Sequence, residues 1–286
     1  MNSVSTAEIE RVTVPKGRSR TGNRVAQILR LGVVSYLNAE PLVFGLEGEP
    51  AVRLERDLPS RVAQRLHAGE VDLGMIPSIE YALGDYAIVP GVAIGSRGPV
   101  RSVSLFHTGP IESVRRVALD TSSRTSVALT KVLLRERLGR DPEYVPMGPS
   151  LPDMLKAADA ALLIGDPALY FEGELPRLDL GEEWARVTGL PFVYAFWAGP
   201  RGVVSPAEVR RLQEALRQGV ASVGAIAEGY NGYGPGHAAR NESYLRNNIV
   251  YGLGDAEAAG LREFYRRAHA LGLIPRIPEL RFHAHE

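Results

Sequence analysis

Five short segments combine hydroxyl, amide and glycine residues directly after apolar stretches of the chain. Side chains of Ser, Thr, Tyr and Asn donate and accept hydrogen bonds without carrying a charge, and glycine lets a ligand approach the backbone closely. Such residues predict a site that binds a small polar molecule. The segments are SYLNAEP (35–41), IPSIEY (76–81), IGSRGPVRSVS (94–104), DTSSRTS (120–126) and IGDPAL (164–169).

The segment DTSSRTS has five hydroxyl residues within six positions, at the start of a predicted helix. The first backbone N–H groups of a helix have no intrahelical partner, so hydroxyls at such a start form a site for an anion. We therefore assign Ser122, Ser123 and Thr125 to binding. Capping of the helix by Ser122 or Ser123 is the alternative, although capping explains a single hydroxyl. Arg124 either adds a charge-assisted bond to a carboxylate or points to solvent.

The other four segments supply the remaining binding candidates. For the 94–104 segment, a turn leading into an edge strand is an equal alternative. Asp166 could position a ligand hydroxyl, although aspartate at that place more often caps the following helix. The other candidates in these segments are Ser35, Tyr36, Asn38, Ser78, Ser96 and Ser102.

These segments lie at the junctions of an alternating pattern of strands and helices. The pattern runs through residues 28–105 and begins again at RRVALD (115–120). It predicts an α/β, two-lobed clamshell in which each lobe is a mixed, mostly parallel sheet flanked by helices. Lobe 1 is predicted to contain residues 28–105 and 197–286, and lobe 2 residues 106–196. Ligands lie beyond the carboxyl ends of the strands in such sheets, which places the site in the cleft between the lobes.

The last part of the chain is predicted to be mainly helical. One long helix is expected over residues 205–230, followed by a Gly/Asn-rich loop and a second helix from residue 255. No internal repeat or low-complexity tract competes with this interpretation.

The composition excludes several kinds of chemistry. The 286 residues carry 33 basic and 33 acidic side chains, so the net charge gives no reason to expect a nucleic acid or an anionic membrane surface as partner. The chain has no cysteine, which excludes thiolate nucleophiles, disulfides, iron–sulfur clusters and cysteine-based zinc sites. No P-loop, HExxH or GxSxG motif occurs. We expect no metal and no cofactor.

The first 27 residues are polar and lack the apolar centre of a secretory signal. We predict that residues 1–27 form a flexible N-terminal tail and that the protein is cytoplasmic. No apolar run approaches the ~20 residues of a membrane-spanning helix, so no membrane partner is expected. The sequence does not indicate the oligomeric state.

Six ordered blocks of the sequence resemble the menaquinone-pathway chorismate dehydratases. These are enzymes of the futalosine route with a periplasmic-binding-protein-like (type II) fold, and the resemblance covers roughly residues 28–275. A related later enzyme of the pathway shares the fold but typically has Cys-Pro-Asn-Asp at the first strand, where this chain has Ser-Tyr-Leu-Asn. The blocks are SYLNAEPL, VDLGMIPSIEY, GPVRSVSLF, LDTSSRTSVALTKVLL, DAALLIGDPAL and LPFVYAFW.

The resemblance implies conversion of chorismate to 3-[(1-carboxyvinyl)oxy]benzoate with loss of water, without metal or cofactor. The substrate is a small dianion, which hydroxyls and helix N-termini can bind. Asn38 matches the family's active-site asparagine and is the predicted catalytic residue; an Asx turn ending the first strand is the alternative role. The general base stays open between the motif carboxylates Asp120, Glu80 and Asp166 and the enolpyruvyl carboxylate of the substrate itself.

Two other functions fit the same fold class. One is a non-catalytic solute-binding protein for a small anion, because two-lobed clamshells often bind without catalysing. The expected absence of a signal peptide and the lack of a lipoprotein cysteine favour the enzyme. The other is a ligand-sensing regulatory domain, for which no DNA-binding helix-turn-helix or basic patch is found.

Overall fold

The computed structural model describes residues 28–284, so the predicted tail over residues 1–27 lies outside the described residues. Within this range the strands form two five-stranded sheets. The first sheet has the order β2-β1-β3-β10-β4 and the second the order β7-β6-β8-β5-β9. The strands are β1 (Leu29–Val34), β2 (Val52–Asp57), β3 (Leu73–Pro77), β4 (Tyr86–Ser96), β5 (Val103–His107), β6 (Arg116–Asp120), β7 (Glu143–Met147), β8 (Ala160–Ile164), β9 (Arg177–Asp179) and β10 (Phe192–Pro200).

Helices cover both sheets and follow the last strand. Within the described residues, three short 3-10 helices span Leu37–Leu42, Ser78–Leu83 and Ile111–Ser113. No helix within residues 28–284 is long and apolar enough to cross a lipid bilayer. The α-helices are α1 (Pro59–His67), α2 (Arg124–Leu138), α3 (Leu151–Ala157), α4 (Asp166–Leu169), α5 (Leu180–Thr188), α6 (Pro206–Ala221), α7 (Val223–Gly229), α8 (Ala238–Asn247) and α9 (Asp255–Ala270).

The α/β class with two mixed sheets is confirmed, and each sheet is half parallel. In the first sheet β1 is parallel to β2 and β3, whereas β10 is antiparallel to β3 and β4. The second sheet repeats this pattern, with β6 parallel to β7 and β8, and β5 antiparallel to β8 and β9. The antiparallel pairs involve β5 and β10, the strands with which the chain enters the second sheet and returns to the first. Central strands β3 and β8 are buried along their whole length, since helices cover both faces.

The two crossovers lie a few residues before the predicted lobe limits. All of β5 pairs in the second sheet, and β10 pairs in the first from Phe192 to Pro200, with an irregularity at Tyr194. The predicted limits after residues 105 and 196 therefore fall inside strands, because a crossover that is itself extended gives no break in the sequence pattern. The division into lobes stays a prediction; below, lobe 1 denotes the elements around the first sheet and lobe 2 those around the second.

The C-terminal helices differ from the sequence prediction in two places. The single helix expected over residues 205–230 is divided into α6 and α7 at Ser222, whose backbone leaves the helical region at φ −103° and ψ 17°. Helix α8 lies in the segment predicted to be a loop. Its sequence, AARNESYLRN, is polar, and its buried side chains are Asn241, Tyr244 and Leu245. Burial in the folded protein, rather than a periodic apolar face, accounts for this helix.

Helix α6 touches the first 3-10 helix through Gly219. A methyl carbon at this position would lie 2.1 Å from the backbone oxygen of Pro41. We expect Gly219→Ala to lower the free energy of unfolding by about 2 kcal/mol, because the added methyl group would push the backbone of α6 away from the backbone at Pro41. The measurement is urea unfolding of the variant and the wild type.

The matched control for this prediction is Gly224→Ala in α7. Its nearest neighbour would be the Glu242 side chain at 3.6 Å, an ordinary contact. We expect the stability of this variant to be unchanged or up to about 1 kcal/mol higher, since alanine favours helix. Equal stability of the two variants would contradict the close approach.

Candidate active site

A cleft lies where the strands of the two sheets end. It encloses about 490 Å³ of space, including the part open to solvent. Val34 at the end of β1, Pro77 at the end of β3 and Ile164 at the end of β8 all line it, as expected for carboxyl ends of parallel strands. The other lining residues are Tyr36, Asn38, Pro59, Ile94, Val100, Ser102, Val103, Ser123, Ser126, Gly165, Tyr194 and Ala195.

Asn38 stands in the first 3-10 helix and takes part in a chain of three polar groups. Its Nδ2 donates to the Tyr244 hydroxyl at 3.1 Å, and that hydroxyl donates to Ser102 Oγ at 2.7 Å. Asn38 Oδ1 is buried and has no hydrogen-bond partner in the described part of the chain. The amide donates to a distant helix rather than to its own turn, which argues against an Asx turn.

The start of α2 presents two hydroxyls to the cleft. Ser123 caps the helix, since its Oγ accepts from the backbone N–H of Ser126 at 3.3 Å and donates to Ser126 Oγ at 2.9 Å. Both residues line the cleft. The first backbone N–H groups of α2 have no intrahelical acceptor and carry the positive end of the helix dipole. Capping and ligand binding, posed as alternatives from the sequence, are thus compatible at Ser123.

Tyr36 forms part of the cleft wall against Gly165. A methyl carbon on Gly165 would lie 2.6 Å from the Tyr36 ring, and its φ of +66° is a conformation that other residues rarely adopt. The Tyr36 hydroxyl lies 3.5 Å from Ser122 Oγ. Burial raises the pKa of Tyr36 to about 12, so at neutral pH its phenol is protonated and can donate a hydrogen bond.

Several predicted binding residues stand behind the cleft wall. Ser96 Oγ lies 3.2 Å from the hydroxyl of Tyr194, which lines the cleft. Ser78 Oγ donates to the Val193 carbonyl at 2.8 Å. Thr125 Oγ1 accepts from the Ile79 backbone N–H at 3.1 Å and so ties α2 to lobe 1. These side chains position the wall and hold the lobes together.

The structure brings Tyr36, Asn38, Ser102 and Ser123 to the cleft surface. It does not bring Ser35 there, because that residue is exposed and its backbone N–H pairs with the Asp57 carbonyl at 3.0 Å. Two polar residues of the cleft lining, Ser126 and Tyr194, were missing from the sequence prediction, and so was Tyr244, which contacts Asn38 from behind. Ser126 stands in a predicted motif, but spacing alone does not show which hydroxyls of the motif face a cleft.

The motif carboxylates are turned away from the cleft. Asp120 accepts from the backbone N–H groups of Ser122 and Ile164 at 2.8 and 3.3 Å, and burial raises its pKa. Glu80 is paired with Arg124 and His67. Among the described residues, no charged side chain lines the cleft. Its polar surface therefore consists of neutral hydroxyls, one amide and the start of α2.

Asp166 joins lobe 2 to the helix that carries Asn38. One carboxyl oxygen accepts from the Leu37 backbone N–H at 3.2 Å, and the other accepts from the Tyr230 hydroxyl. Burial raises the pKa of Asp166 to about 6, and the nearby charge of Glu40 adds to the effect. Asp166 thus connects the two lobes. These two hydrogen bonds account for its burial without a contact to a helix N-terminus or to a ligand.

This raised pKa predicts a pH-dependent stability difference between wild type and Asp166→Asn. The folded protein holds the Asp166 proton more tightly than the unfolded chain, so ionisation between about pH 4 and pH 6 costs stability in the wild type alone. The stability of the variant relative to wild type should rise over that range by on the order of 3 kcal/mol. Urea unfolding at pH 4, 5, 6 and 7 measures it.

The control is Asp159→Asn, for which the sign is opposite. Asp159 accepts from the backbone N–H groups of Arg115 and Arg116 at 2.9 Å, and these bonds hold its pKa below the ordinary value. Wild type should gain stability over this variant as the pH rises through the acidic range. Parallel curves for Asp166→Asn and wild type would rule out the raised pKa.

Comparison with known proteins identifies a family. A family model described as menaquinone biosynthesis matches residues 29–270. The chorismate dehydratase of Thermus thermophilus is 35% identical over 264 residues, which cover 85% of this chain and 95% of that relative.

Solved structures show the fold. An Archaeoglobus fulgidus protein has a TM-score of 0.69 at 19% identity, with 88% of this chain and 100% of that chain covered. A Candida albicans protein, described as having the generic periplasmic binding protein fold, has a TM-score of 0.57 at 12% identity, with 87% of this chain and 91% of that chain covered. These likenesses confirm the predicted two-lobed fold. Because the family model matches residues 29–270, which are most of the chain, the chain belongs to the menaquinone-biosynthesis family.

Proposed function

We propose that the protein is a chorismate dehydratase, which converts chorismate to 3-[(1-carboxyvinyl)oxy]benzoate and water on the route to menaquinone through futalosine. Membership of the family and similarity to the Thermus thermophilus enzyme support the assignment. The observation that carries it is the neutral cleft, in which the unpaired Asn38 oxygen stands together with the start of α2. The predicted location in the cytoplasm stays a prediction.

The lining of the cleft suits dianionic chorismate. One carboxylate of chorismate fits the start of α2, where the hydroxyl of Ser126 and the helix N–H groups without an acceptor supply donors, while Ser123 holds Ser126 in place. A carboxylate side chain in the lining would repel such a substrate unless it were protonated. The apolar residues that line the rest of the cleft, such as Val34 and Ile94, suit the carbon ring.

The proposed reaction is an elimination that makes the ring aromatic. A base removes the proton from the ring carbon that bears the ether oxygen, and the electron pair forms a double bond to the neighbouring carbon. The C–O bond to the ring hydroxyl breaks, and the hydroxide leaves with a proton as water. In this proposal Asn38 Oδ1 accepts a hydrogen bond from that hydroxyl and so orients the breaking bond, which is catalysis by positioning.

The base in this proposal is the enolpyruvyl carboxylate of the substrate. Its support is that Asp120, Glu80 and Asp166 are all engaged away from the cleft, in bonds to backbone N–H groups, to Arg124 or to Tyr230. The carboxylate takes the ring proton and delivers it to the departing hydroxide, so that atoms and charge balance. Turnover of the methyl ester of this carboxylate at the rate of chorismate would contradict the proposal.

The direct test is incubation of the purified protein with chorismate, followed by chromatography of substrate and product. We expect chorismate to be consumed and an equal amount of 3-[(1-carboxyvinyl)oxy]benzoate to appear. Binding of chorismate without turnover would refute the assignment and favour a solute-binding protein. Neither binding nor turnover would refute both.

A further inference from the structure

We propose that Tyr244, supported by Ser102, is a positioning residue that sets which end of the Asn38 amide faces the substrate. The inference rests on the proposed function, because it assigns a role within the same reaction. No motif of the sequence points to Tyr244, which lies 206 positions after Asn38 on helix α8.

The Tyr244 hydroxyl has two polar neighbours and one hydrogen. It lies 2.7 Å from Ser102 Oγ, to which it donates, and 3.1 Å from Asn38 Nδ2. Having given its hydrogen to Ser102, the oxygen can only accept at the second contact. The amide of Asn38 must therefore turn its NH₂ group toward Tyr244 and its carbonyl oxygen away.

The lack of a hydrogen-bond partner for Asn38 Oδ1 within the described residues supports this orientation of the amide independently. This oxygen is buried, belongs to a residue that lines the cleft, and accepts no hydrogen bond in the described part of the protein. A buried carbonyl oxygen without a donor is costly, and such atoms are uncommon in folded proteins. A hydroxyl of the ligand supplies the missing donor, and the Tyr244 contact stops the amide from rotating to meet another one.

Tyr244 is itself held firmly in place. It is 1% exposed, and burial raises the pKa of its phenol, so the hydrogen needed for the Ser102 bond is retained at neutral pH. Helix α8 is fixed by Asn241, which accepts from the Tyr170 hydroxyl at 2.6 Å and donates to the Ala227 carbonyl at 3.2 Å. The orientation of Asn38 thus depends on elements from three distant parts of the chain.

The test is the Tyr244→Phe variant, measured as a split between kcat and KM for chorismate. Without the acceptor, the amide can present either end, so we expect kcat to fall about tenfold with KM within about twofold of wild type. The matched control is Tyr81→Phe. Tyr81 is also buried, and its hydroxyl also makes one donor and one acceptor bond, to Glu279 and Arg281, but outside the cleft. Its kcat should equal that of wild type.

A double-mutant cycle separates positioning from a general structural effect. Because Tyr244 acts through Asn38, Tyr244→Phe should have no further effect on kcat in an Asn38→Ala background. A tenfold loss in both backgrounds, or no loss in either, would overturn the proposal. If Tyr244→Phe does not fold, Ser102→Ala takes its place in the same cycle, and an equal loss in both backgrounds again overturns it.

The cycle also separates this inference from the assignment of function. If wild-type protein does not convert chorismate, the proposed function fails before any variant is made. If wild type and Tyr244→Phe are equally active while Asn38→Ala is impaired, then the proposed function stands and only the positioning role of Tyr244 fails.

Discussion

Replacing Asn38 with alanine is expected to lower kcat for chorismate by about 100-fold or more, the range seen when one preorganised polar group is removed from an active site. The physical reason is that Oδ1 is the buried acceptor of the cleft that no group of the described protein satisfies. Asn38 is half-buried and its removal leaves only Tyr244 short of a donor, so the variant should fold. Steady-state kinetics, with a thermal melt as a folding check, measure the effect.

The control for this variant is Asn248→Ala. Asn248 also donates through its amide, to the Pro99 carbonyl at 2.8 Å, but it is not among the residues that line the cleft. Its kcat should stay near that of wild type. A folded Asn38→Ala protein with near wild-type turnover would remove Asn38 from the mechanism and leave the start of α2 as the main candidate.

Replacing Glu80 with glutamine is expected to weaken the contact between lobe 1 and the start of α2. Glu80 belongs to lobe 1 and is 1% exposed, and both its oxygens lie 2.9 Å from Nη1 of Arg124, the first residue of α2 in lobe 2. On its other side, His67 Nε2 lies 2.8 Å away. We expect KM to rise about fivefold with little change in kcat, and the free energy of unfolding to fall by about 2 kcal/mol.

The charge of Glu80 makes this effect depend on pH. Burial opposes its ionisation, but the hydrogen bond to His67 and the charge of Arg124 outweigh burial and hold the pKa of Glu80 below its ordinary value of 4.5. The stability it contributes is therefore present above about pH 4.5 and is lost as the pH falls through the lowered pKa. The difference in stability between wild type and Glu80→Gln should shrink accordingly in acid.

Glu172→Gln is the matched control, because it also breaks a Glu–Arg ion pair, in this case with Arg240 of helix α8. Glu172 lies 2.7 Å from Arg240, and its side chain is 68% exposed. Exposed pairs of this kind contribute little, so KM should be unchanged and stability should change by less than about 1 kcal/mol. Equal effects in the two variants would argue against a specific role for the buried contact.

The sequence was sufficient for the class of fold and for much of the cleft. Alternating strands and helices predicted two sheets, and the rule that ligands lie beyond strand ends led to Tyr36, Asn38, Ser102 and Ser123. The same rule misplaced Ser35, since neighbouring residues at a strand end point to opposite sides and the pattern does not say which side faces the cleft. Lobe limits and the roles of the site residues stay predictions.

Other features depend on contacts between distant parts of the chain. Tyr244 belongs to a polar helix without an apolar face, so neither its helix nor its position could be predicted from local pattern. The engagement of Glu80 with Arg124 was equally hidden, because 44 positions separate them. The sequence allows Arg124 to contact a ligand or to point to solvent, whereas in the structure its guanidinium pairs with the buried carboxylate of Glu80.

The neutral lining of the cleft has a consequence for product release. In the proposed reaction a dianion becomes another dianion and water, so the net charge held between the lobes is the same before and after turnover. A cleft to which residues 28–284 contribute no charged side chain therefore gives little electrostatic discrimination between product and substrate. The difference must come from shape and from one hydrogen bond: the flat aromatic ring has lost the hydroxyl that satisfied Asn38 Oδ1, and the expelled water can take its place as the product leaves.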